Sequence, residues 1–150
     1  MSDAAGNIIQ ILADLPDFLR KPMLQNRLKE FYAMSDDDRR ETISQAMTAA
    51  PRIDSGKLSV LFRTWLEILS DFDAEKRAIM FQIYCLQILR SPGSIEKLDF
   101  KSLTATFLSL DSKQRERITD SLQEVLFSLP NRNEILKMVP EASLKALGLK

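Results

Sequence analysis

Large apolar residues recur along this chain at helical spacing, and no stretch shows the strict alternation of a half-buried strand. In the middle of the chain Leu58, Leu61, Phe62, Trp65 and Leu66 mark one helical stripe. The pattern predicts helices over Leu24–Met34, Lys57–Ser70 and Phe100–Ser109, each ended by a polar turn and followed by a second helix. Asp36, Asp73 and Asp111 stand at the expected starts of those second helices, where a carboxylate accepts orphan amides and favours the positive end of the dipole. Asp111 with Gln114 has the form of a capping box. Ile8–Leu15 reads as an unpaired helix ending at Pro16, and Glu134–Val139 and Ala142–Leu147 as short closing helices. Ala78–Leu89 has almost no polar face, which predicts a central helix covered on both sides; Thr42–Ala50 and Arg117–Leu129 keep polar stripes, as outer helices do.

The second-helix starts repeat. Asp36 to Ile43, Asp73 to Met80 and Asp111 to Ile118 align without gaps, and their arginines, Arg40, Arg77 and Arg115, stand 37 and 38 residues apart. The match extends upstream through Leu28, Trp65 and Leu103 and downstream through Met47, Tyr84 and Leu122. Pro16, Pro92 and Pro130, with Pro51 to Gly56, punctuate the copies. A period of this length implies paired helices that bury their core between neighbours. The expectation is one all-α domain over 1–150, with stacked antiparallel hairpins at 24–54, 57–92 and 95–130. A half-repeat at 7–22 precedes them, and capping helices at 131–150 follow.

The Asp-x-x-x-Arg step at Asp36/Arg40, Asp73/Arg77 and Asp111/Arg115, with apolar residues following each arginine, resembles the second-helix signature of HEAT-like repeats over Leu24–Pro130. It departs from that signature in carrying Arg39, Lys76 and Gln114 before the arginines, where the family is usually apolar, and in replacing small alanines by larger side chains. The resemblance implies that these aspartates and arginines tie adjacent repeats together and that the protein works as a scaffold or binding surface.

Composition narrows the chemistry. The chain has no histidine and one cysteine, which removes imidazole bases, catalytic Cys/His pairs and most zinc sites. Lysine plus arginine number 21, as do aspartate plus glutamate, and no segment forms a basic block, so the electrostatic footprint of nucleic-acid binding is missing. The most apolar run is 12 residues, too short for a membrane span of about 20. The small, acidic start lacks a secretory pattern, and the lone Cys85 cannot form an internal disulfide, so a cytoplasmic protein is expected.

Individual motifs reduce to local structure. Ser55-Gly56-Lys57-Leu58 lacks the first glycine and the hydroxyl of a phosphate loop and reads as a helix start. Asp71, Asp73 and Glu75 begin like a calcium loop, but Lys76 and Gln82 replace its glycine and its bidentate glutamate. Asp36-Asp37-Asp38 suits a first helical turn, and Glu116, Asp120 and Glu124 suit a solvated face. Trp65 and Cys85 read as core residues. Arg40, Arg77 and Arg115 are the most ordered charged set, suited to inter-repeat pairing or to an acidic partner. The expected function is a non-enzymatic protein-binding adaptor or scaffold, with no cofactor and no metal. Nucleic-acid binding is the alternative, and a small-molecule-binding or enzymatic helical domain ranks below it. A homo-oligomer is compatible with the same surface.

Overall fold

The computed structural model describes residues 3–150, and every regular element among them is helical. The helices are α1 (Ala4–Asp14), α2 (Asp17–Tyr32), α3 (Asp36–Ala49), α4 (Ser55–Asp71), α5 (Ala74–Arg90), α6 (Phe100–Leu108), α7 (Ser112–Ser128), α8 (Arg132–Met138) and α9 (Glu141–Ala146), with 3₁₀ turns at Ala50–Arg52 and Pro92–Ile95. They stack in two layers. Helices α1, α3, α5 and α7 lie side by side in one, and α2, α4, α6 and α9 in the other, as in a short α-solenoid. Chain neighbours across the layers, α2 with α3 and α6 with α7, make little backbone contact. Bulky side chains such as Phe31, Trp65, Phe81 and Phe107 stand between the layers and hold them apart.

Local sequence explains the starts. Asp3, Ser35, Asp54, Asp73, Asp99 and Asp111 each accept the backbone N–H three residues on, and Asp111 with Gln114 completes a capping box. The cap of α3 is therefore Ser35 and not Asp36: Ser35 Oγ accepts from Asp38 N at 3.2 Å, and Asp36 is the first helical residue. Two adjacent arginines, Arg39 and Arg40, let the sequence align one residue late. With Ser35 aligned to Asp73 and Asp111, the repeat is a uniform 38 residues.

The expected half-repeat at 7–22 does not end where a helix ends. Helix α2 begins at Asp17 and runs through Pro22, whose missing N–H costs one bond, to the Phe18 carbonyl, on an exposed face. The most enclosed helix is also not Ala78–Leu89. Helix α4 packs on α1, α2, α5, α6 and α7, and its Ile68 and Leu69 are 0% exposed. Ile79, Ile83 and Leu86 of α5 are only half-buried. The apolar girth of α5 serves α3 and α7 on its two flanks and the space between the layers on its inner side.

Polar bonds tie successive repeats together at near-constant offsets. Tyr32 Oη donates to the Lys76 carbonyl (2.7 Å), Ser55 Oγ to Asp99 (2.8 Å), Arg63 to Ser109 Oγ (2.8 Å) and Arg117 to the Ser70 carbonyl (3.2 Å). At the end of the chain Gly148 adopts φ 69°, a left-handed turn that glycine tolerates, and its carbonyl accepts from Gln123 of α7 at 3.0 Å.

Candidate functional site

The three arginines singled out by the sequence have different surroundings. Arg77 is 7% exposed; its Nε donates to Ser121 Oγ of α7 at 2.9 Å, and its Nη1 reaches the carbonyls of Leu69, Ser70 and Phe72. Arg115 donates to the Leu108 carbonyl at 2.8 Å. Arg40 has a side chain 48% exposed and pairs only with Asp37 of its own first turn.

The position matching Arg77 in the first copy is Arg39, which donates to the carbonyls of Phe31 and Tyr32. Arg20, four residues after the Pro16 cap of α2, does the same to the carbonyls of Leu12 and Leu15. Four arginines thus share one task. Placed one turn into a helix, each folds back onto the carbonyls that end the preceding helix, where a cation also meets the negative end of the dipole. Arg20 and Arg39 escaped the repeat alignment, although an arginine four residues after a helix start was the available signal.

The acidic motifs remain local. Asp36, Asp37 and Asp38 are exposed in the first turn of α3, the first two against Arg39 and Arg40, and Glu116, Asp120 and Glu124 line an exposed face of α7. Lys57 lies in the first turn of α4, its backbone N–H on the Asp54 cap. Among the described residues no group of three or more His, Cys, Asp or Glu is placed to hold a metal ion, and no helix is long and apolar enough to cross a membrane.

Between the layers lies an apolar cavity of about 770 Å³, reached by residues from all nine helices. The 38-residue register places its lining. From the α3–α5–α7 layer come Thr42, Met80 and Ile118, then Ala46, Tyr84 and Leu122, then Ala50, Ile88 and Leu126, each set one repeat apart. From the facing layer come Leu24, Phe62 and Phe100, and then Arg27, Trp65 and Leu103, on the same period.

Copy by copy the residues change size, and that explains where the cavity opens. At these three positions the first copy presents Thr42 and Ala46 of α3 and Ala50 of the following turn where α5 and α7 present methionine, tyrosine, isoleucine and leucine, while Met47 is larger than its counterpart Cys85. The lining residues that reach the surface, Ala4, Arg27, Glu30, Asp38 and Glu41, all belong to α1, α2 and α3, so the mouth lies there. Leaving out side-chain volume at α3 leaves the first hairpin unfilled.

The interior holds few polar groups. Thr104 and Ser143 hydroxyls pair at 2.6 Å, and Ser94 Oγ is buried without a partner. Tyr84 packs edge-on against Trp65, and its Oη has no hydrogen-bond partner among the described residues. Tyr84 keeps some accessible surface, but that surface faces the cavity; desolvation pushes its phenol up to about 12, and burial raises the adjacent Cys85 thiol to about 11. Both groups stay protonated at neutral pH, so Cys85 is no nucleophile and Tyr84 is a hydrogen-bond donor.

A second, smaller hollow of about 70 Å³ lies between the start of α4 and the loop before α6. There Asp99 accepts from Ser102 and Ser55, bonds that hold its carboxyl at about 2.

No model of a known protein family, no curated protein and no solved structure matches the chain.

Proposed function

We propose that this protein is a non-enzymatic binding module that takes an apolar ligand into the space between its two helix layers. The observation that carries the reading is the cavity itself. At about 770 Å³ it falls within the range of about 300–1,000 Å³ typical of ligand pockets and is lined overwhelmingly by hydrocarbon. The space opens to the surface, so solvent and ligand can enter it, and walls this apolar favour an apolar occupant over water.

The adaptor reading draws its support from the outer surface, where Phe18 is 75% and Phe127 72% exposed, and from the HEAT-like signature. It is the second reading: exposed Leu19 and Met23 extend the apolar surface of Phe18 along α2, but the cavity draws its apolar lining from all nine helices. The ordered arginines give little support to a nucleic-acid surface, since Arg20, Arg39, Arg77 and Arg115 are engaged with backbone carbonyls. The free, buried Cys85 suits the cytoplasmic placement expected from the sequence.

Titration with N-phenyl-1-naphthylamine, an uncharged probe that fluoresces in apolar surroundings, tests the proposal. Saturable one-to-one binding is expected, and Ala46→Trp, which places an indole in the cavity near its mouth, should weaken it at least tenfold while the helical circular dichroism is kept. Failure of the parent protein to bind, or undiminished binding by a folded Ala46→Trp protein, would sink the reading.

A further inference from the structure

The charge at the mouth and the unpaired Tyr84 hydroxyl inside restrict the class of ligand, on the premise that the cavity is the binding site. Among the described residues, the lining carries three carboxylates, Glu30, Asp38 and Glu41, against one guanidinium, Arg27. Arg27 is held by Glu30 at 3.2 Å. An anionic head group arriving there meets like charge and no free cation, and the apolar interior gives it no place to ionise. Deeper in, Tyr84 Oη on the cavity wall has no hydrogen-bond partner among the described residues, whereas Ser94 Oγ has no accessible surface for an occupant to reach. A donor facing an apolar space is satisfied by an occupant that brings an acceptor.

We infer that the ligand is an uncharged amphiphile, a long apolar body bearing a single hydrogen-bond-accepting oxygen as in an alcohol or a ketone, that accepts from Tyr84, and that fatty acids and phosphate-headed lipids are rejected at the mouth. The hydrocarbon fills the space between Trp65, Leu122 and Ile88, and the oxygen replaces the water that the phenol would otherwise hold. The selectivity is negative as well as positive: the carboxylates discriminate against acids without touching the neutral ligand.

Competition against bound N-phenyl-1-naphthylamine by dodecan-1-ol and by dodecanoate, at pH 8 and low salt, tests the assignment. Dodecan-1-ol should displace the probe at a concentration at least tenfold below that of dodecanoate. The triple variant Glu30→Gln, Asp38→Asn, Glu41→Gln, which leaves Arg27 unopposed on an exposed rim, should shrink that ratio below threefold. In the parent protein 0.5 M salt should narrow it in the same direction. Tyr84→Phe should weaken dodecan-1-ol about fivefold more than it weakens the naphthylamine, read as the ratio of the two affinities. Equal or stronger displacement by dodecanoate in the parent protein, a ratio untouched by the triple variant, or an alcohol-to-naphthylamine ratio untouched by Tyr84→Phe would each overturn the inference while leaving the cavity reading in place. Absence of saturable probe binding would overturn both.

Discussion

The first hairpin, α2–α3, and the middle one, α4–α5, carry the same repeat and use it differently. In the middle copy the arginine four residues past the cap is buried and bonded both to its own hairpin and to Ser121 of the next. The facing position on α4 is Trp65, and the inner face of α5 carries Tyr84 and Ile88. In the first copy these positions hold Arg39, Arg27, Ala46 and Ala50. The same backbone plan therefore gives a closed, cross-linked hairpin in one place and a half-filled one with a polar rim in the other. A solenoid of identical repeats would have no pocket. Here the difference between copies shapes the pocket, with Thr42, Ala46 and Ala50 on its open side.

The largest effect separating the two regions is expected at the arginines. Arg77→Met removes a buried guanidinium, leaves the Phe72 carbonyl and the Ser121 hydroxyl without its bonds, and leaves the Leu69 carbonyl to the Phe72 amide and the Ser70 carbonyl to Arg117. It should lower stability by about 2–3 kcal/mol in urea denaturation, the scale of losing buried hydrogen bonds made by a charged donor. Arg40→Met, which ends an exposed pairing within one helical turn, should change it by no more than about 0.5 kcal/mol. Similar losses at the two sites would break the contrast between the hairpins.

An intermediate effect is expected in alkali. The folded state holds the Tyr84 phenol at about 12 and the Cys85 thiol at about 11, both above their ordinary values of 10.0 and 9.0. The unfolded chain therefore releases these protons first. The stability they contribute is intact below about pH 9 and is lost as pH rises through 11 and 12. The matching residues of the first copy, Ala46 and Met47, do not titrate. Tyr84→Phe should remove up to about 2 kcal/mol of the alkaline loss, read as a smaller fall in urea midpoint between pH 8 and pH 11.5. An identical fall in the two proteins would mean that the Tyr84 phenol is open to bulk water and that the inner face of α5 does not bound an apolar space.

The layered helical fold was legible in one dimension, because helical periodicity, aspartate caps and proline breakers all act over a few residues. Helix starts at Asp73 and Asp111 came out in register for that reason. The first copy did not, since Asp36 with Arg40 mimics the repeat as well as Ser35 with Arg39 does, and only the geometry of the Asp38 amide separates them. The placement of the central helix failed for a different cause. An apolar girth marks a helix with neighbours but does not say whether one of its sides faces a packed core or a hollow, and α5 faces the hollow. The cavity depends on how far bulky side chains hold the layers apart, which no window of sequence contains. Yet once the copies are aligned on Ser35, the series Ala46, Tyr84, Leu122 and Ala50, Ile88, Leu126 shows the missing volume directly.

That alignment rests on one hydroxyl, and the smallest of the expected effects tests it. Ser35→Ala should cost about 1 kcal/mol through loss of the bond to Asp38 N, comparable to Asp73→Ala in the middle copy. Asp36→Ala should cost only a few tenths, because Asp36 is then a first-turn carboxylate whose contribution is its interaction with the dipole and a 3.7 Å contact to Arg39. Thermal or urea unfolding of the three variants side by side resolves the difference. If Asp36→Ala proved the costlier change in the first copy, the cap would move by one residue, Arg40 would become the counterpart of Arg77, and Ala46 would no longer match Tyr84. The opening at α3 would then need a cause other than a periodic substitution of small residues for large ones.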